Sequence, residues 1–361
     1  MKIQSIELFL YRLPMKSALK WGAVSAMSTA DAALVRVTLQ DGTSGEGEAL
    51  ARPTIYGETL HSFQGIVDLL RPRLVGMDIE DEAGLWKTLQ GVANNHTIKG
   101  AIDSALWEAR FRAKGQDLFA ALQGPHTSLK VSFILGITDL EGMLKEAREV
   151  HASGVRVLKV KVGRDYQKDL QVIHALKSEL PDMELYADSN ETLTPEVAPD
   201  ILTAMREAGL LWVEEPLPVH QTRARMELKK LGVLPIIADD SCFTLGQLER
   251  ELDLDTFDIL NIKPPRSGIT GSLKMLEMAK TAGKSVMIGS QAGNLTSMRH
   301  SALIASMEGV DKPSELTFFL KLGGDISGPN PVLSDGHLQL SDLQNLRPDP
   351  EKLELYKATL F

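Results

Sequence analysis

The sequence has 361 residues and a single cysteine, Cys242, so no disulfide can form within the chain and no cysteine cluster can hold a metal. Nowhere do the roughly 18 consecutive apolar residues of a membrane span occur. The N-terminal stretch MKIQSIELFLYRLPM alternates apolar and polar residues, and lacks the apolar run of about 7 to 15 residues that marks a secretion signal. Positive charge is also short: 39 Lys and Arg against 48 Asp and Glu leave a net charge of −9. Such a field disfavours nucleic-acid phosphates and anionic membranes, although a local pocket can still be cationic. With 43% apolar and 24% charged residues, disorder, collagen-like repeats and small disulfide scaffolds are excluded. The expectation is a soluble, cytoplasmic globular protein, long enough for two domains or one decorated barrel.

What is present divides into two rhythms. Up to about Gly124, Ile3 to Tyr11 and Leu34 to Leu39 read as strands, and Gln40-Asp41-Gly42 supplies a turn before Gly45-Glu46-Gly47-Glu48. The small-residue stretch Ser17 to Ala30, with Trp21 at its centre, and the stretch Arg52 to Thr59 read as mobile loops. Ile98, Ile102, Ala105, Leu106, Ala109 and Ala113 recur at helical spacing, with a break at Gly115. Beyond Gly124, apolar runs begin near Val131, Val157, Leu185, Leu211, Pro235, Ile259, Ser285 and Glu315, 24 to 30 residues apart. Amphipathic stretches fall between them, such as Leu140 to His151 and a helix that Thr194-Pro195 would cap and Gly209 would end. Eight such βα units predict a (β/α)8-type barrel, with an open doubly wound sheet as the alternative. From Gly323 onward, Gly328-Pro329 and Asp335-Gly336 mark turns and short strands.

In a parallel barrel the active site forms at the C-terminal strand ends, and those ends are polar here. Lys159 and Lys161 alternate with valines and so share one face of their strand. The next strands end in Asp188 and Asn190, in Glu214-Glu215, in Asp239-Asp240 and in Lys263. Singly, a strand-end carboxylate is commonly a helix cap, and a strand lysine can snorkel from an edge. Together they describe one cavity in which three acids sit between lysines. Carboxylates without His or Cys suit Mg²⁺ or Mn²⁺ and argue against zinc. A lysine near a divalent cation and a second ammonium has its pKa pushed down and can accept a proton. The reaction class this implies is removal of a proton α to a carboxylate, with the charge on the resulting enediolate stabilised by the cation.

Lys159-x-Lys161, Asp188-x-Asn190, Glu214-Glu215-Pro216, Asp239-Asp240-Ser241 and Asn261-Ile262-Lys263 resemble the enolase superfamily, in its muconate lactonizing enzyme subgroup. Gly45-x-Gly47-Glu48-Ala49 and Lys99 to Trp107 look like landmarks of its N-terminal domain. The resemblance implies an α+β capping domain (1–124) over a (β/α)7β barrel (125–322), with a C-terminal segment (323–361) returning to the cap. It implies Asp188, Glu214 and Asp239 as Mg²⁺ ligands, with Mn²⁺ as a substitute, Lys161 and Lys263 as the acid/base pair, and Lys159 as a tuner of Lys161. Asn190, Asp240, Trp21, Ile55, Glu315 and Ser290 are expected around the substrate or behind the ligands.

The expected activity is that of a muconate cycloisomerase. Racemisation or epimerisation of an amino-acid derivative and dehydration of a hydroxy acid or acid sugar share its first half and are the alternatives. A binding protein that has lost catalysis and a phosphate-binding barrel are further readings. The strand-seven region lacks the histidine of mandelate racemase relatives and has Gly293 where many members have Glu. Strand eight lacks the Asp-x-Asp of dipeptide epimerases, and His300 reads as an ordinary helix residue. A small-molecule carboxylate is the expected partner, with no nucleic acid and no membrane, and the chain is expected to be a homo-oligomer.

Overall fold

The computed structural model describes residues 1–360. Three antiparallel strands, β1 (Ile3–Trp21), β2 (Ser25–Leu39) and β3 (Ser44–Leu50), form the N-terminal sheet in that order. The stretch Ser17 to Ala30 is thus not a loop but the tip of a long hairpin. After a register shift beyond Pro14, the ladder resumes with Leu19 opposite Met27 and Trp21 opposite Ser25. Small residues give no apolar alternation to read, yet their main chain pairs as well as any other. The other expected loop, Arg52 to Thr59, contains one helical turn, Pro53–Tyr56, ended by Gly57 at φ 70°.

The helix His96–Ala113 buries Ile98, Ile102, Ala105 and Ala109 against this sheet. The contact is close enough that a Cβ on Gly45 would lie 2.2 Å from the Ala105 carbonyl, and one on Gly47 2.1 Å from that of Ala101.

Strand β4 (Ser128–Lys130) leads into seven parallel strands: β5 (Phe133–Leu135), β6 (Val157–Lys161), β7 (Glu184–Asp188), β8 (Leu210–Glu214), β9 (Ile236–Ala238), β10 (Ile259–Ile262) and β11 (Ser285–Ile288). They pair in chain order. The run from Ser314 makes only a parallel bridge to Val131 and then a 3-10 turn over Phe318–Leu320, where a full strand was expected. Ser314 to Phe319 are all buried, polar and apolar alike, and a run buried on both faces carries no period that separates strand from buried turn. Similarly, the helix expected to be capped by Thr194 starts at Ala198, with Pro199 in its first turn; the Thr194 carbonyl accepts from Val197 and Ala198 in the turn before it.

A hairpin of β12 (Leu333–Ser334) and β13 (His337–Gln339) turns at Asp335-Gly336, both at positive φ, and pairs with β4. The tail then reaches β1, where Ala358 N–H donates to Leu10 at 2.9 Å. Among the described residues no helix is long and apolar enough to cross a membrane.

Period two along the parallel strands sets up the site. Leu158 and Val160, Leu185 and Ala187, Ile236 and Ala238 join the outer core beneath the helices. The alternate residues Val157, Tyr186, Ile237, Ile259 and Met287 form a separate apolar cluster, with Trp212 packed on it. One step further along the same faces come Lys159, Asp188, Glu214, Asp239 and Asn261. An apolar plug therefore underlies a charged layer.

Candidate active site

That layer is one bonded network, and its charges are buried. Lys159 Nζ lies 2.7 Å from Glu214 Oε1, 2.7 Å from Glu315 Oε1 and 3.0 Å from Asp188 Oδ2. Lys161 donates to Asp188 Oδ2 at 2.5 Å and to Asn190 Oδ1 at 3.0 Å, and Lys263 donates to Asp239. Asn261 donates to Glu214 Oε2 at 3.2 Å. Lys161 stands at the end of β6 and Lys263 just past β10, so the acids of β7, β8 and the β9 end lie between them.

Burial alone would raise Asp188 and Asp239, but Lys159 and Lys161 hold the first, and Lys263 and Arg266 the second, well below the usual carboxylate range. Glu214 goes the other way: burial, with Asp188 and Asp239 adding to it, raises its carboxyl well above the ordinary value. Burial would lower the Lys263 ammonium, yet Asp239 and Tyr56 hold it above the usual lysine value. This differs from the lowered lysine expected from sequence. That expectation counted a cation and a second ammonium, whereas in the chain alone the acids are the nearer charges.

The donors fit a hard divalent cation by their chemistry: three buried carboxylates from neighbouring strands, with no His or Cys among them. Asp239 Oδ1 makes no aligned hydrogen bond although Arg266 Nη2 is 3.0 Å away, and the raised Glu214 also marks acidic oxygens short of positive partners. Among the described residues, however, no three such groups converge on one point, since each acid is drawn to an ammonium.

Above the network lies a cavity of about 70 Å³, walled by Lys159, Lys161, Asn190, Asp239, Asp240, Lys263, Ser290 and Glu315 from the parallel-strand side. Leu19, Trp21, Met27, Arg52, Ile55 and Tyr56 wall it from the N-terminal side. Trp21 reaches the cavity from a hairpin and Ile55 from a helical turn. Glu315 is held in the cavity wall by Lys159, the Ser290 N–H at 2.7 Å and the Tyr186 hydroxyl at 3.3 Å. The two acidic pairs behave differently. Glu215 turns away to accept from Asp239 N–H at 2.7 Å and Ser241 N–H at 2.9 Å, whereas Asp240 lines the cavity, its carboxyl pushed up to about 7 by burial and by Asp239.

His300 sits away from the cavity, with Nε2 3.0 Å from Glu108. At Gly293 a Cβ would fall 2.0 Å from Ser297 Oγ and 2.9 Å from a Leu50 methyl, so a larger side chain there would have to displace both. Arg52, Tyr56, Gln291 and Arg266 were not singled out from sequence. Arg266 carried a usable signal, a guanidinium one turn past Lys263 in a largely apolar helix start.

Residues 142–345 match the enolase C-terminal domain-like family, and residues 6–122 match the mandelate racemase / muconate lactonizing enzyme N-terminal domain. The chain belongs to this family. It is an enzyme of the enolase superfamily, and its similar proteins span several activities. It is 28% identical over 297 residues to an L-Ala-D/L-Glu epimerase of Bacillus subtilis, covering 80% of this chain and 81% of that one. An o-succinylbenzoate synthase of Geobacillus stearothermophilus is 28% identical over 334 residues, covering 91% and 88%. Among solved structures, a muconate lactonizing enzyme from Mycobacterium smegmatis complexed with muconolactone superposes with a TM-score of 0.94 at 28% identity, over 99% of this chain and all of that one. Enolase-superfamily membership at this level of identity supports an enolase-type reaction without distinguishing among these substrates.

Proposed function

We propose that this enzyme removes the proton α to a substrate carboxylate in the cavity under the cap, and that it is cycloisomerase-like in outcome. The observation that carries the reading is the buried alternation Lys161, Asp188, Glu214, Asp239, Lys263 along five successive strand ends. Asp188, Glu214 and Asp239 are the residues that would hold a Mg²⁺ or Mn²⁺ ion. When bound, the ion supplies positive charge to the substrate carboxylate and so stabilises the negative charge that proton removal creates. Its charge would also supply the missing influence on the lysines, lowering an ammonium that the acids alone hold high.

Lys161 and Lys263, on opposite sides of the acids, are positioned to take a proton from one face of the α-carbon and to return one to the other. Lys159, bonded to Asp188, Glu214 and Glu315, stays charged and orients the acids. Closure of the sheet as a (β/α)7β barrel goes with this reading. It is supported by Ser132 N–H donating to Ser314 at 2.9 Å on one edge and Glu315 N–H donating to Ile288 at 2.8 Å on the other.

Epimerisation of an amino-acid derivative is the second reading, favoured by the same pair of opposed lysines; dehydration is a third outcome from the same first step. One experiment tests the class. The Mg²⁺-loaded enzyme is incubated in D₂O with a panel of dicarboxylates, N-acylated amino acids, dipeptides and hydroxy acids. Deuterium should enter the α-position of at least one of them, and chelation should stop it. Bound metal with no exchange anywhere in the panel would refute the proposal.

A further inference from the structure

Arg52 is 5% exposed, walls the cavity, and bonds to no carboxylate among the described residues. Its guanidinium donates to three main-chain carbonyls: Ala51 at 2.6 Å, Gln291 at 2.8 Å and Ala292 at 2.9 Å. Two of these belong to the segment after β11, on the far side of the cavity. Burial lowers the guanidinium to about 10, which leaves it charged at neutral pH. A buried cation spent on carbonyls is an expensive way to make a generic contact. Here the carbonyls flank Ala292, which is held at φ 62°, a conformation that a residue with a Cβ seldom adopts unless its surroundings impose it.

Tyr56 stands four residues on from Arg52 and so on the same side of the helical turn. Its hydroxyl accepts from the Gln291 side-chain amide at 2.6 Å. The cap therefore grips Gln291 twice, by its carbonyl through Arg52 and by its amide through Tyr56. From below, Ser290 N–H bonds to Glu315, and Glu315 holds Lys159. The continuation of the segment hangs on other groups: Ser297 N–H donates to Glu48 at 3.1 Å and Leu295 N–H to Asp325 at 3.0 Å.

We propose that Arg52 is a positioning residue whose guanidinium fixes the backbone of Gln291 and Ala292, and with it the cavity wall facing the substrate. The inference rests on the function proposed above for its kinetic consequence only. Arg52 touches none of the reacting groups, so loosening the wall weakens ground and transition states alike.

The test compares wild type, R52M and R52K as full-length, Mg²⁺-loaded protein. Amide hydrogen exchange followed by mass spectrometry should show residues 290–292 exchanging about tenfold faster in R52M, with 295–305 unchanged. A lysine reaches one carbonyl but cannot fork to two, so R52K should fall between. On an acid that wild type turns over, R52M should raise KM about tenfold with kcat altered less than threefold, and R52K should recover part of the loss. Unchanged exchange at 290–292, or equal acceleration through 295–305, overturns the proposal, as does a fall in kcat at constant KM. If wild type exchanges no α-proton, the functional reading has failed and the amide measurement still decides on Arg52. Should R52M not fold, R52K decides by the same criteria.

Discussion

On the function proposed above, Lys161 and Lys263 carry the chemistry at the residue scale, and they are separable. Lys161 bonds to Asp188 and Asn190, Lys263 to Asp239, and no acid is shared between them. Removing either should cost about 100-fold or more in the step it serves, the usual size of general acid–base assistance. In a two-base epimerisation, K161A and K263A each abolish interconversion, while each keeps α-proton exchange on one hand of the substrate. In a one-base reaction only one variant loses exchange. Proton exchange followed on both enantiomers, with circular dichroism to verify the fold, therefore assigns the roles, and wild-type exchange in both variants would dismiss them. These residues were legible because alternation along a strand is a local rule: Lys159 and Lys161 had to share a face. Arg52 and Tyr56 were not, since Gln291 and Ala292, which give them meaning, lie more than two hundred residues away in the chain.

At the scale of elements, the cap depends on how closely β3 meets the helix His96–Ala113. Gly45 and Gly47 lie on one side of the strand, two apart, and face Ala105 and Ala101, four apart on the helix. The obstacles to a Cβ are main-chain carbonyls at 2.2 Å and 2.1 Å, which cannot rotate away as a side chain would. Gly47→Ala should therefore destabilise the protein by about 1–3 kcal/mol through overpacking. Thermal unfolding is the measurement, and a midpoint equal to wild type would show that the strand has room to shift. The spacing Gly45-x-Gly47 was visible in the sequence, as was the helix opposite; their contact was not. The long hairpin of β1 and β2 escaped for a different reason. Its tip is built from small and polar residues whose pairing is a main-chain property, and no side-chain period announces it.

At the scale of the molecule, the N-terminal cap and the parallel-sheet portion meet across buried carboxyls, and this sets a pH dependence. Glu48 of β3 accepts from Tyr11 at 2.5 Å and from Ser297 N–H at 3.1 Å, and burial pushes its carboxyl up to about 7. Asp325 nearby is raised to about 6, again mainly by burial. In both cases the folded state binds its proton more tightly than the unfolded chain does. Between about pH 4.5 and 7 these two carboxyls thus hold more protons in the native protein, and their contribution to stability falls as pH rises, levelling off above 7. At about 1.4 kcal/mol per pKa unit, Glu48 alone would contribute about 3 kcal/mol to that decline. E48Q cannot ionise, so its stability should change less across this range even if its level at pH 5 is lower. Denaturant midpoints measured from pH 5 to 8 compare the two slopes directly. Parallel profiles would mean that Glu48 ionises without cost in the folded protein, and that the seam beneath the cavity wall is wetter than its burial indicates.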